Sequence, residues 1–238
     1  MTALIRCVLL FCGVWLGGCT FVGTSTPIAD SSVSADKRLI GFWVPLGGVG
    51  LFNVIEDTEA NKLYVVAPGL GSGTGSCLII ETRTLQFIGY GLLEIPIQDG
   101  VYECISPHKN FFSSDLEKLE KAGLVYGIAP YKLSKLNDPE MAEFKEENAE
   151  SIQKLIDYYE VTDQNLDVFE LGSIFDSELS KEIQAGRIKG VIDSSSSAIV
   201  ITDTPDAMRT YFSTLKADSP LLRWGEDYLV RVKSADQR

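Results

Sequence analysis

A serine set among glycines, a lone histidine, alternating acids and five cysteines are the side chains with chemistry to offer, and their spacing limits what they can do. Ser72 lies inside Gly69-Leu70-Gly71-Ser72-Gly73-Thr74-Gly75. A nucleophile elbow needs a glycine two residues before its serine, and Leu70 stands there. A phosphate loop needs a helix behind it to present amide groups, and usually a lysine. Here Cys77 to Ile80 follows as an expected strand, so the glycine run reads as a hairpin loop. His108, the only histidine, could serve a nucleophile in principle. Between Pro107 and Lys109 it is expected to be an exposed loop residue. One histidine cannot supply a His/Cys metal cluster. Asp57, Glu59 and Asn61 begin like a calcium loop, yet Lys62 replaces the loop glycine and Pro68 the closing glutamate. A turn between strands is the better account. The 33 acids allow many chance pairs, so none is singled out as a hydrolytic couple. No catalytic, metal or cofactor residue is assigned, and no cofactor is expected.

The N-terminus is more specific. Arg6 precedes an apolar run from Cys7 to Leu16, and Gly17 and Gly18 stand directly before Cys19. That is the layout of a secretory signal peptide, with an apolar core too short to span a membrane. Leu16-Gly17-Gly18-Cys19 resembles the lipobox of bacterial lipoproteins. The resemblance implies cleavage before Cys19, a diacylglycerol on its thiol and an acylated amine, with chains of the palmitate kind. More than one chain gives stable anchoring, so the membrane is the partner it implies. Thr20, where that family uses Asp to retain proteins at the inner membrane, implies the outer membrane, facing the periplasm. Cys7 and Cys12 leave with the signal. Cys77 and Cys104 then remain in an oxidising compartment, where an even pair reads as one disulfide. Two buried free thiols acting as small apolar residues are the other possibility.

Charge narrows the partners. The formal net charge is −12, and removal of the signal takes away only Arg6, a cation. An acidic chain lacks the basic footprint that nucleic acid requires. It is equally unsuited to holding anionic lipid by charge alone.

The elements that would position any site follow from patterning. Residues 1–18 are the signal peptide. Residues 19–36, rich in Ser, Thr and small side chains, read as a flexible tether. Residues 37–233 read as a single domain. From Arg38 to Ser106, short β-branched and aromatic runs alternate with turn residues: Leu39 to Val44, Leu51 to Ile55, Leu63 to Val66, Cys77 to Ile80, Leu85 to Tyr90, Leu92 to Ile97 and Val101 to Ile105. Helices are expected after the capping box at Ser114, after Asp138 with Pro139 at its first position, over Glu178 to Ala185, and after Thr204. Strands return at Tyr158 to Val161, Leu166 to Leu171, Ile188 to Ile192, Ala198 to Ile201 and Tyr228 to Val232. The fold class is α+β: a curved antiparallel sheet, barrel-like or sandwich, with helices in the middle and the C-terminal third.

Gly41-Phe42-Trp43 resembles the Gly-x-Trp element that opens lipocalin-type barrels. In that family an arginine from a late strand packs over the tryptophan, a role the resemblance offers to Arg231. The helical stretch between about Ser113 and Ile156 departs from the family's eight consecutive strands. The functional expectation is a membrane-anchored envelope lipoprotein acting as a non-catalytic binding module, for an apolar small molecule or an envelope partner. The alternative is a carboxylate-dependent envelope hydrolase.

Overall fold

Alternation of apolar and polar residues along successive strands closes this sheet on itself. The computed structural model describes residues 21–29, 33–46, 50–68, 77–97, 100–103, 121–162, 166–194 and 196–234. Its strands are β1 (Phe21–Thr24), β2 (Gly41–Pro45), β3 (Phe52–Asp57), β4 (Lys62–Pro68), β5 (Cys77–Phe87), β6 (Tyr90–Pro96), β7 (Val101–Glu103), β8 (Tyr126–Lys135), β9 (Asp167–Ile174), β10 (Gly190–Asp193), β11 (Ala198–Ile201) and β12 (Leu222–Ser234). Eight of them, β2-β3-β4-β5-β6-β8-β9-β12, pair antiparallel in chain order, and β12 returns to β2 to complete a barrel. Closure removes free edges. Every second residue points inward, so Trp43, Phe52, Leu63, Ile80, Leu93, Tyr131 and Phe169 share one buried cluster. Opposite Tyr131 stands Gly91, where any Cβ would meet the tyrosine ring at 2.3 Å. That glycine makes room for the ring.

A 3-10 turn over Lys37–Leu39 covers the barrel end at which β2 begins. Its contacts are polar and specific. The Trp43 indole N–H donates to the Leu39 carbonyl at 2.7 Å, and the Asp36 N–H donates to Thr84 Oγ1 at 2.7 Å. The buried Asp36 carboxylate accepts from Tyr131 Oη at 2.8 Å and from the Arg38 guanidinium at 2.7 and 2.9 Å. Burial alone would raise that carboxyl, but the bonds from Arg38 and Tyr131 outweigh it and hold it below the usual carboxylate range.

Helices cover the outside of the wall. The α1 (Ala142–Glu147) and α2 (Ala149–Tyr159) helices bring Ile152 and Leu155 onto Val44, Val168 and Val230, residues of β2, β9 and β12. On the other side α3 (Asp176–Gln184) and α4 (Pro205–Thr214) pack Leu179, Met208 and Phe212 with Leu85, Tyr90 and Leu92 of β5 and β6. Thr204 caps α4 by accepting the Ala207 N–H at 3.3 Å, with Pro205 in the first turn.

Several expectations are corrected. The stretch 19–36 is not a flexible tether over its described residues. β1 pairs parallel with β11 and antiparallel with β8, Ile28 and Ala29 are buried, and Asp36 sits under the 3-10 turn. The folded part therefore reaches back from residue 37 to at least Phe21, because the hydrogen-bond partners of this Ser/Thr-rich segment lie far away in sequence. Cys77 to Ile80 and Leu85 to Tyr90 are not separate strands, since β5 runs unbroken from Cys77 to Phe87. Tyr158 and Tyr159 end α2 instead of opening a strand. The helix expected after Ser114 falls in residues outside those described.

Candidate functional site

Among the described residues, two spaces in the barrel stand out, and they differ greatly in size. The lumen is lined by Trp43, Phe52, Val54, Leu63, Leu93 and Phe169, among other apolar side chains. Those side chains fill it: the remaining cavity is about 20 Å³, room for a single water-sized sphere. Trp43 meets Phe169 edge-on at 5.8 Å, and Tyr131 stacks on Phe169 at 5.5 Å.

The second space is a cleft of about 450 Å³ in the wall, within the size range of small-molecule sites. It exists because two neighbouring strands differ in length. Pairing of β6 with β8 ends at Gly91–Tyr131, whereas β8 continues against β9 to Lys135. The β5–β6 turn, with Phe87, Gly89 and Tyr90, forms one side of the gap, and Ala217 and Met141 add apolar surface. Lys132, Ser134 and Glu170 supply the polar surface. Lys132 Nζ lies 3.9 Å from the Trp224 ring centroid and 3.9 Å from Glu170 Oε2, so a cation is held over an aromatic face beside an acid. Glu170 also accepts from Tyr228 Oη at 3.1 Å. Burial, with Glu170 adding to it, pushes that phenol up to about 12. Glu140 accepts from Ser134 Oγ at 2.8 Å. The cleft thus combines apolar walls with ionic groups that are paired with one another.

The residues marked in the sequence fall as follows. Cys19, Cys104, His108 and Ser72 lie outside the described residues. Cys77 is the half-buried first residue of β5. Asp57 accepts the N–H groups of Glu59 and Ala60 at 3.0 and 3.1 Å, making the turn the spacing suggested. Asn61 is occupied elsewhere, accepting the Ala35 N–H at 3.1 Å and donating to the Val33 carbonyl. Among the described residues no group of three or more His, Cys, Asp or Glu could hold a metal ion. Arg231 lies with its guanidinium carbon 4.7 Å from the Trp43 ring centroid. It donates to the Arg38 carbonyl and lies 3.2 Å from Asp167, while its Nε is buried without a partner.

None of the cleft residues was singled out in the sequence. The only trace is the alternation Tyr131-Lys132-Leu133-Ser134, which shows two faces but not that the neighbouring strand stops early. One more charged group was missed. Glu94, on the outer face of β6, is fully buried and accepts the N–H groups of Ile28 and Ala29. Burial raises its carboxyl to about 7 against the pull of those bonds and of Arg83.

Comparison with protein-family models, with curated proteins and with solved structures finds no match. The class is therefore stated from the geometry: an α+β protein built on a closed eight-stranded antiparallel barrel, with a cleft in its wall.

Proposed function

We propose that this chain is a lipid-anchored envelope lipoprotein, of lipocalin-like construction, that binds a small amphipathic molecule in the wall cleft without acting on it. The observation that carries the reading is the contrast between a lumen of about 20 Å³ and a cleft of about 450 Å³. Phe87, Leu133 and Met141 suit an apolar portion of the ligand, and Lys132, Ser134 and Glu170 suit a polar one. The lipobox at Leu16 to Cys19 supports the anchor. Gly41-Phe42-Trp43 on β2, with Arg231 over the indole, supports the family resemblance. The register of β5 with β7, Leu78 opposite Glu103, supports a Cys77–Cys104 disulfide. Leu78 and Glu103 are the sequence neighbours of Cys77 and Cys104.

The hydrolase alternative would need Glu140 and Glu170, the carboxylates that line the cleft. Both already accept hydrogen bonds from neighbouring hydroxyls, an arrangement suited to holding a ligand.

Native and denatured mass spectra of the mature protein, taken with and without reduction before alkylation, test the reading. The expected result is acyl mass on Cys19, no thiol alkylated without reductant, and a discrete extra mass lost on denaturation. Unmodified Cys19 would overturn the anchor, and alkylation without reductant the disulfide. Turnover of a bound ester or glycoside that is lost in Glu140→Gln or Glu170→Gln would overturn the non-catalytic role.

A further inference from the structure

The end of β1 lies close to an unusual hairpin. The Phe21 N–H donates to the Ser197 carbonyl at 2.7 Å, and Phe21 stands opposite Ala198 in the parallel β1–β11 register. Only Thr20 separates Phe21 from Cys19. Two residue steps reach at most about 7 Å, so whatever is attached to Cys19 is held beside the turn between β10 and β11.

That hairpin is suited to a lipid surface. β10 ends the sheet path, with β11 as its strand neighbour. Its central residues Val191 and Ile192 are 51% and 44% exposed. Adjacent residues on a strand point to opposite faces, so the barrel cannot shelter both. Among the described residues the other large exposed apolar side chains are Ile88 on the β5–β6 turn, Tyr158 on α2, and Val125 just before β8, whose N–H donates to the Thr24 carbonyl at the far end of β1 from Phe21. In a chain of net charge −12, the twelve residues from Gly190 to Ile201 contain one ionisable side chain, Asp193, and Ser196 Oγ donates to it at 2.8 Å. Few charges therefore need desolvating on contact.

We propose that the β10–β11 hairpin and the start of β1 form the face that rests on the bilayer surface into which Cys19 is anchored. The inference rests on the lipid anchor proposed above and adds an orientation to it. A strand edge with free backbone groups does not enter hydrocarbon, so the contact is at the headgroup level, with Val191 and Ile192 reaching toward the acyl boundary. A tether of many residues would leave the domain free to tumble. A one-residue spacer does not.

Hydrogen exchange, read by mass spectrometry, tests this on the lipidated mature protein in vesicles of phosphatidylethanolamine and phosphatidylglycerol. The reference is the chain from Thr20 onward, exported without lipid, which retains every described element. Amides of residues 190–198 are expected to exchange roughly tenfold more slowly in the vesicle-bound protein, while those of the β3–β4 turn are unchanged. The paired substitution Val191→Ser and Ile192→Ser, at exposed positions, is expected to remove the protection and leave the protein on the vesicles. Intact mass is read from the same sample. A mass without acyl chains overturns the anchor itself. Acyl chains present but exchange at 190–198 unaltered overturns the orientation alone. Equal slowing in the lipid-free chain at high concentration, without vesicles, assigns the hairpin to contact with a second copy and also overturns it.

Discussion

Strand β8 serves two regions at once, a filled lumen and an open cleft, and they differ in how they are built. Tyr131 and Leu133 pack with the lumen cluster and also border the cleft, to which Lys132 and Ser134 add polar surface. The lumen is narrowed by large aromatics: Trp43, Phe52, Tyr131 and Phe169 are all nearly inaccessible to solvent. Burial of each stabilises the fold by roughly 1.5 to 3 kcal/mol or more, so the same packing that closes the barrel excludes a ligand from it. The cleft is made differently. There the wall is interrupted because β6 ends before β8, and the margin carries the Lys132–Glu170 pair beside the stacked Phe87 and Tyr90 rings. An eight-stranded barrel can therefore be filled inside and still open a cleft in its wall. Whether the lumen is available depends on the size of the residues that point inward.

Trp43→Ala gives the largest expected effect. It removes a fully buried indole, its bond to the Leu39 carbonyl and its contact with Arg231. A loss of about 3 to 5 kcal/mol is expected in urea unfolding, with the ligand mass retained at concentrations where the variant is folded. Loss of the ligand in that folded variant would move the site from the cleft into the lumen.

Next comes Glu94, which belongs to neither region and so reports on the outer wall alone. Its folded carboxyl is raised from an ordinary 4.5 to about 7, so the folded state holds more protons than the unfolded one between those values. Stability from this group is complete below about pH 4.5 and is lost as pH rises through 7, by up to about 3 kcal/mol. Asp36, lowered by Arg38 and Tyr131, acts in the opposite sense and in more acid solution: its contribution is present above its ordinary 3.8 and falls away below. Unfolding free energy measured from pH 3 to 8 should therefore rise and then decline. Glu94→Gln should flatten the decline and leave the acid limb intact. An unchanged decline would assign it to other groups.

The smallest stability change is expected at the cleft. Lys132→Ala removes a half-buried cation from Trp224 and Glu170, at a cost below about 1 kcal/mol. Ligand retention in the native mass spectrum should nonetheless weaken about tenfold, corresponding to 1.4 kcal/mol. Equal retention by wild type and variant would take the polar end of the ligand away from Lys132.

Much of the barrel was legible because its strands are short, alternating and separated by turn residues. Leu63 to Val66 and Leu92 to Ile97 fall within a residue or two of β4 and β6, and the Thr204-Pro205 pair marks the start of α4. β1 was not legible. Phe21 to Thr24 has no periodic pattern and becomes a strand through pairing with residues 198–201 and 126–127. Glu94 looked like one of 33 acids, since its burial depends on a segment 65 residues earlier crossing over it.

By itself, the sequence determined the alternation of strands and turns, the acidic charge and the motif around Cys19, all of which arise from residues close together in the chain. Tertiary structure alone decided that the sheet closes, that the lumen is full, and that a cleft opens beside Lys132. Closure needs β12 to reach β2, and the cleft needs β6 to stop where β8 goes on. Those are relations between distant strands, and their hydrogen-bond register is settled only when every inward side chain has been packed.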